Sequence, residues 1–184
     1  RRALRNCFGY EDFRLGQKSV IEAILAGRDV LAVMPTGAGK SVCYQVPALL
    51  LPGITLVISP LISLMKDQVE SLTQAGVHAA YLNSSLTPAQ YSRALHNLSE
   101  GLYKLVYVAP ERLSTENLRT AVENLNISLI AVDEAHCVSQ WGQDFRPDYL
   151  KIAEFAESLK NRPTIGAFTA TATKAVRKDI AEHL

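Results

Sequence analysis

The chain has 184 residues, enough for one domain with a substantial hydrophobic core. Its 19 basic and 18 acidic residues nearly cancel, so bulk charge advertises no nucleic-acid partner and any such surface must be local. No apolar run approaches the roughly 20 residues of a membrane span, and the opening Arg1-Arg-Ala-Leu-Arg-Asn6 does not read as a signal peptide, so no membrane association is expected. A helical stripe of Val20, Ile21, Ile24 and Leu25 comes first and stops at Gly27. Val30–Met34 reads as a strand, and a helix can start at Ser41. Ile54–Ser59 is a second strand, followed by a stripe of Leu61, Met65, Val69 and Leu72 that ends at Gly76. Ala79–Leu82 is a third, and Thr87-Pro88 opens a helix with threonine as cap and proline at the first position. Leu105–Ala109, Leu129–Val132 and Thr164–Phe168 complete the strands, and Val176, Ile180 and Leu184 form the last stripe.

Most of these strands are continuously apolar, as expected where both faces are covered. Strands alternating with helices predict an α/β fold, a mostly parallel sheet with helices on both faces. Ligands bind such sheets at the carboxyl ends of the strands. Met34, Ser59, Ala109, Asp133 and Thr169 stand at those ends. The three cysteines, Cys7, Cys43 and Cys137, are widely spaced and have no metal-ligand spacing, so free thiols in a reducing, intracellular compartment are expected.

Met34-Pro-Thr-Gly-Ala-Gly-Lys-Ser41 is a Gly-rich turn between a strand and a helix. Such a turn aims backbone N–H groups at one point, where the helix dipole also favours an anion. Thr36, Gly37, Ala38 and Gly39 would cradle phosphates, Lys40 would reach the β- and γ-phosphates, and the Ser41 hydroxyl would sit on Mg²⁺. The strict pattern has glycine at the first position, where this chain has Met34. Leu129-Ile-Ala-Val-Asp-Glu-Ala-His136 is an apolar strand ending in two acids. Asp133 suits a hard cation bridged to a triphosphate, and Glu134 can polarise an attacking water. His136 is placed to hydrogen-bond across the cleft. Upstream, the Gln17 amide can match an adenine edge, with Tyr10 and Arg14 spaced to stack on the base. Trp141, the only tryptophan, lies with Phe145 and Arg146 in a polar loop after the acids, where aromatic faces can stack on unpaired bases.

Together these segments resemble the RecQ family of superfamily 2 DNA helicases. Leu4, Phe8-Gly9, Phe13-Arg14 and Gln17 are similar to the family's motif 0, and Met34–Ser41 to motif I in the helicase form, which does not require the first glycine. Ser59-Pro-Leu-Ile-Ser-Leu-Met-Lys-Asp-Gln68 resembles motif Ia, Tyr107–Leu113 motif Ib, Asp133–His136 motif II and Thr169-Ala-Thr171 motif III. Cys137–Tyr149 is similar to the family's aromatic-rich loop. Leu15 stands where the family usually has proline, and Gln143 where it commonly has histidine.

The resemblance spans nearly the whole chain and implies a single RecA-like domain, the first of two in a helicase that uses ATP and Mg²⁺. It implies 3′→5′ movement on single-stranded and partly duplex DNA, a monomer, a role in DNA repair and recombination, and a nucleoid or nuclear location. The implied catalytic residues are Lys40, Asp133, Glu134 and His136, with Ser41 and Asp133 at the metal. DNA binding, or its coupling to ATP, would fall to Ser59, Pro60, Ser63, Arg112, Trp141, Phe145, Arg146, Thr169 and Thr171. The family's second RecA-like domain, with its arginine fingers, has no counterpart in these residues. Two other readings suit the same motifs: a nucleotide-gated DNA-binding module that never translocates, and a DEAH-type RNA helicase domain. Motif 0 and the Trp141 loop favour DNA over the latter.

Overall fold

The computed structural model describes residues 1–184. Six strands, β1 (Val30–Val33), β2 (Ile54–Ile58), β3 (Ala79–Leu82), β4 (Leu105–Val108), β5 (Ile127–Val132) and β6 (Thr164–Thr169), form one sheet in the order β1-β6-β5-β2-β4-β3. Every pairing is parallel. All six predicted strands are present, and β5 starts two residues earlier than its apolar run suggests.

Eight helices surround the sheet: α1 (Arg2–Phe8), α2 (Gln17–Leu25), α3 (Lys40–Leu50), α4 (Ile62–Gln74), α5 (Pro88–Ser99), α6 (Glu116–Val122), α7 (Ile152–Ser158) and α8 (Lys174–His183). The sequence reading lacks α1, α6 and α7, each of seven residues. Two turns are too few for a 3.6-residue period to stand out. Thr87 caps α5 as expected, within a full capping box: its Oγ1 accepts from the Gln90 N–H at 3.2 Å, and Gln90 Oε1 accepts from the Thr87 N–H at 2.9 Å.

The continuously apolar strands divide by parity between two cores. Leu56, Ile58, Val106, Val108, Ile130, Val132, Ile165 and Ala167 pack under Leu98, Leu118, Phe155 and Val176 of α5 to α8. Val57, Leu105, Tyr107, Leu129, Ala131 and Phe168 pack on the opposite face under Ile24, Cys43, Tyr44 and Met65 of α2 to α4. No residue of a central strand can be polar without entering one of these cores, which is why these runs do not alternate.

Beyond the strands, the ladder continues by one residue. Met34 N–H donates to Thr169 O at 2.9 Å, Asp133 N–H to Ile58 O at 2.9 Å, Ser59 N–H to Val108 O at 3.2 Å and Ala109 N–H to Leu82 O at 3.0 Å. These bonds extend the pairing at the carboxyl ends of all six strands. No helix is long and apolar enough to cross a membrane.

Candidate nucleotide site

The Gly-rich turn leaves β1 and enters α3 at Lys40. Gly37 and Gly39 have φ of 83° and 81°, a left-handed region in which side chains are strained. A Cβ at Gly39 would also stand 2.4 Å from Gln17 Nε2, so glycine is required there twice over. Met34 is explained by packing. Its side chain is buried beneath α3, with its sulfur 3.7 Å from Cys43 Sγ, so the first position of the turn contributes to the core instead of to the cradle. The Lys40 ammonium donates to Met34 O at 3.3 Å.

Motif 0 wraps this turn from outside. Gln17 is buried, and both ends of its amide are engaged. Nε2 donates to Gly39 O at 3.0 Å, and Oε1 accepts from the Arg14 N–H at 2.7 Å. Arg14 donates to Gly37 O and lies over the Tyr10 ring, 5.9 Å from its centroid. The Gln17 amide, expected to match an adenine edge, here bonds the turn's own backbone, since a buried amide must be satisfied. Tyr10 remains half exposed, at the rim of a cavity of about 350 Å³ that Gly39 and Ser41 also line.

Asp133 and Glu134 are held by backbone bonds. Asp133 N–H bonds β2, and Asp133 O accepts from the Tyr149 hydroxyl at 2.8 Å. Tyr149 is fully buried, and the sequence reading gave it no role. Its only signal was its place at the end of the aromatic-rich stretch Cys137–Tyr149. Glu134 has φ 50°, the only non-glycine residue with positive φ. Such a backbone is costly for a side-chain-bearing residue and is sustained by its surroundings. Among them, the Glu134 N–H donates to Asp133 Oδ1 at 3.0 Å.

His136 Nδ1 lies 2.9 Å from Thr169 Oγ1 and 3.5 Å from Glu134 Oε2. The Thr169 hydroxyl gives its one proton to Thr171 O at 3.1 Å. Its oxygen must then accept, which assigns the proton to His136 Nδ1. His136 thus bridges the acids on β5 to the end of β6.

Burial, reinforced by the charge of Glu134, pushes the Asp133 carboxyl up from 3.8 to about 6. Between those values the folded chain holds a proton that the unfolded chain has released. Stability accordingly falls as pH rises through that window and is not regained above it. Asp133→Asn should therefore stabilise the nucleotide-free chain at pH 7.5 by about 3 kcal/mol. It should also flatten the pH dependence of the melting temperature across that window. Thermal melts of both proteins from acid to neutral pH check this; an unchanged melting temperature at pH 7.5 would count against it.

The residues expected to meet DNA divide into two sets. Pro60, Ser63, Trp141 and Thr171 reach the surface, with Trp141 at 75% exposure. Phe145 is half buried. Arg146 is partly exposed and paired with Asp144 through two bonds of 3.0 and 3.1 Å. Arg112 is half buried with its guanidinium over the Tyr91 ring at 4.7 Å. Ser59 and Thr169 point inward. Ser59 is buried, and its hydroxyl accepts from the Leu61 N–H at 3.3 Å; Thr169 is fully buried against His136. Neither side chain faces the surface.

The Trp141 loop is tied at its base. Ser139 is fully buried, accepts from the Trp141 N–H at 3.1 Å and donates to Asp179 of α8 at 2.6 Å. Between this loop and the start of α8 lies a cavity of about 410 Å³ bordered by His136, Trp141, Gln143 and Thr171. The three cysteines are unpaired, and no group of three or more His, Cys, Asp or Glu side chains is placed to hold a metal ion.

The profile of the DEAD/DEAH box helicase family matches residues 14–179. The chain is 50% identical over 182 residues to the ATP-dependent DNA helicase RecQ of Bacillus subtilis, covering 98% of this chain and 31% of that protein. It is 47% identical over 184 residues to the ATP-dependent DNA helicase Q-like 4B of Arabidopsis thaliana, covering 96% of this chain and 16% of that protein. The chain thus spans less than a third of the length of these relatives. Among solved structures, a hypothetical ATP-dependent RNA helicase from Sulfolobus tokodaii superposes with a TM-score of 0.74 at 22% identity, covering 100% of this chain and 53% of that one, a likeness of fold. On the profile match and the shared motifs, the chain belongs to the DEAD/DEAH box helicase family.

Proposed function

We propose that the chain is the first RecA-like, ATP-binding motor domain of a RecQ-like helicase, which couples ATP hydrolysis to 3′→5′ translocation on single-stranded DNA and to duplex unwinding. The observation that carries this reading is the row of strand ends. It sets the Gly-rich turn, the two acids and the surface beside Trp141 along one edge of the sheet. The 50% identity to a bacterial RecQ supports it.

In this reading the backbone from Thr36 to Gly39 and the Lys40 ammonium bind the phosphates, and Tyr10 and Arg14 flank the base. Gln17 positions the turn that does the binding. The residues fit a magnesium ion. Ser41 and Asp133 are oxygen donors that line one small cavity, and a hard cation that keeps several waters needs only one or two protein oxygens. Bound with ATP, that ion supplies charge neutralisation along the triphosphate. Glu134 accepts the proton of the attacking water, and His136 holds the acids in register with Thr169. The intact protein is a monomer and intracellular, and carries a second RecA-like domain that closes on this one. DNA passes over Pro60, Ser63, Arg112, Phe145 and Trp141.

The test is ATP hydrolysis by the full-length protein with single-stranded DNA or RNA of one sequence. DNA should stimulate more strongly. Trp141→Ala should raise the DNA concentration for half-stimulation about 5- to 150-fold, as the loss of about 1–3 kcal/mol of base stacking requires, with basal hydrolysis unchanged. Stronger stimulation by RNA, or an unaltered response to DNA in the variant, would overturn the assignment of DNA or of the loop, respectively.

A further inference from the structure

Beside the two candidate metal ligands lies a polar cluster to which no role has been assigned above, although Gln68 and Tyr107 fall within the segments that resemble motifs Ia and Ib. Gln45 of α3 is buried, where an unsatisfied amide would be costly. Its Nε2 donates to Gln68 Oε1 of α4 at 2.7 Å and to the Tyr107 hydroxyl of β4 at 3.0 Å. One amide thereby joins two helices and a strand. Tyr107 is itself buried, and its hydroxyl neighbours that of Tyr44, which in turn faces Ser41. A cavity of about 50 Å³ is lined by Ser41 and Asp133 together with Tyr107 and Gln68. With these polar groups in its lining, a space of this size accommodates water.

The helix at the far end of this chain of contacts is lightly anchored. Only Met65 and Leu72 of α4 are buried, and its N-terminus has no side-chain cap. An element with so little buried apolar surface is readily displaced. It begins directly after Ser59-Pro60-Leu61, on the strand-end face, and carries Ser63.

We infer that Gln45, Tyr107 and Gln68 form a positioning element that ties α4 to Ser41 and Asp133, so that magnesium–nucleotide at those ligands changes the mobility of α4 and of the surface it carries. The inference rests on the nucleotide-binding reading above. Its chemistry is hydrogen bonding alone: Gln68 accepts from Gln45, and Tyr107 links Gln45 to the cavity at Asp133. A merely static role would fix α4 equally with and without nucleotide.

The experiment is hydrogen–deuterium exchange over residues 62–74 of this chain, with and without Mg²⁺ and ADP, with affinity followed by a fluorescent ADP analogue. In the unsubstituted chain, magnesium–nucleotide should change α4 exchange by about fivefold or more, the lower range of allosteric coupling. Gln68→Ala should keep nucleotide affinity and lose this response. Gln68→Glu, which keeps the accepting oxygen, should retain it. Tyr107→Phe keeps the ring in the core and should lose it, an independent check should Gln68→Ala fold poorly. Nucleotide binding without an α4 response in the unsubstituted chain would overturn the inference alone, as would a response that survives in both Gln68→Ala and Tyr107→Phe. No nucleotide binding by the unsubstituted chain would overturn the nucleotide reading itself.

Discussion

Replacing Glu134 by glutamine in the full-length protein should lower ATP turnover about 10²- to 10⁴-fold, the usual contribution of a general base, with nucleotide affinity unchanged and unwinding lost. Glutamine has the same shape but cannot take a proton. The expectation rests on how the residue is held. Glu134 adopts a left-handed backbone that few side-chain-bearing residues occupy, immediately after a strand end bonded to β2 and to Tyr149. Its carboxylate stands 3.5 Å from His136 Nδ1, whose ring is fixed by Thr169. Strain kept at one residue while its neighbours are fully bonded is characteristic of a position that must aim a functional group. The comparison needs single-turnover hydrolysis, a binding isotherm for a non-hydrolysable ATP analogue, and strand separation on a tailed duplex. Hydrolysis within a few-fold of the parent would remove Glu134 from the role of base.

The 184-residue chain alone should hydrolyse ATP about 10³- to 10⁵-fold more slowly than the longer protein, because an arginine supplied from an opposing domain is worth that factor in phosphoryl transfer. In the proposed reading, Lys40, Ser41, Asp133 and Glu134 would approach a nucleotide from this domain's strand ends and leave its other side to an opposing domain. Arg14 lies beside the turn, but its guanidinium is bonded to Gly37 O and covers Tyr10. It is therefore not poised to meet charge developing on a transferred phosphoryl group. Steady-state hydrolysis by the chain and by the full-length protein, each with and without single-stranded DNA, makes the comparison. Strong DNA-stimulated turnover by the chain alone would show that a complete site is already here.

Much of this was legible before any coordinates, and particular residues show where legibility stopped. The strands could be read because parallel strands under two layers of helices are apolar at nearly every position, as Val30–Val33 is and as Ile54–Ile58 is but for the buried Thr55. The Gly-rich turn and the paired acids could be read because each packs its chemistry into consecutive residues. Short helices such as α6 and α7 gave no periodic signal. Gln17 could be recognised as part of the site, but whether its amide faced a base or the turn depended on where Gly39 folded. Ser59 and Thr169 stood at the predicted strand ends, yet both side chains turn inward. Tyr149, Tyr107 and Gln68 lie in recognisable segments, yet their bonds had no local signature, since Gln45 and Tyr107 are 62 positions apart.

The difference has one physical origin. Backbone preference, apolar patterning and the identity of adjacent functional groups are local properties, and they prescribed the parallel sheet, the phosphate turn after β1 and the acids after β5. Which polar atoms remain available to a ligand is decided by burial and by partners distant in the chain. Tertiary structure alone assigned the Gln17 amide to the phosphate turn, the His136 proton to Thr169, and Gln45 to both Tyr107 and Gln68, because a polar group removed from water must bond whatever folding places beside it.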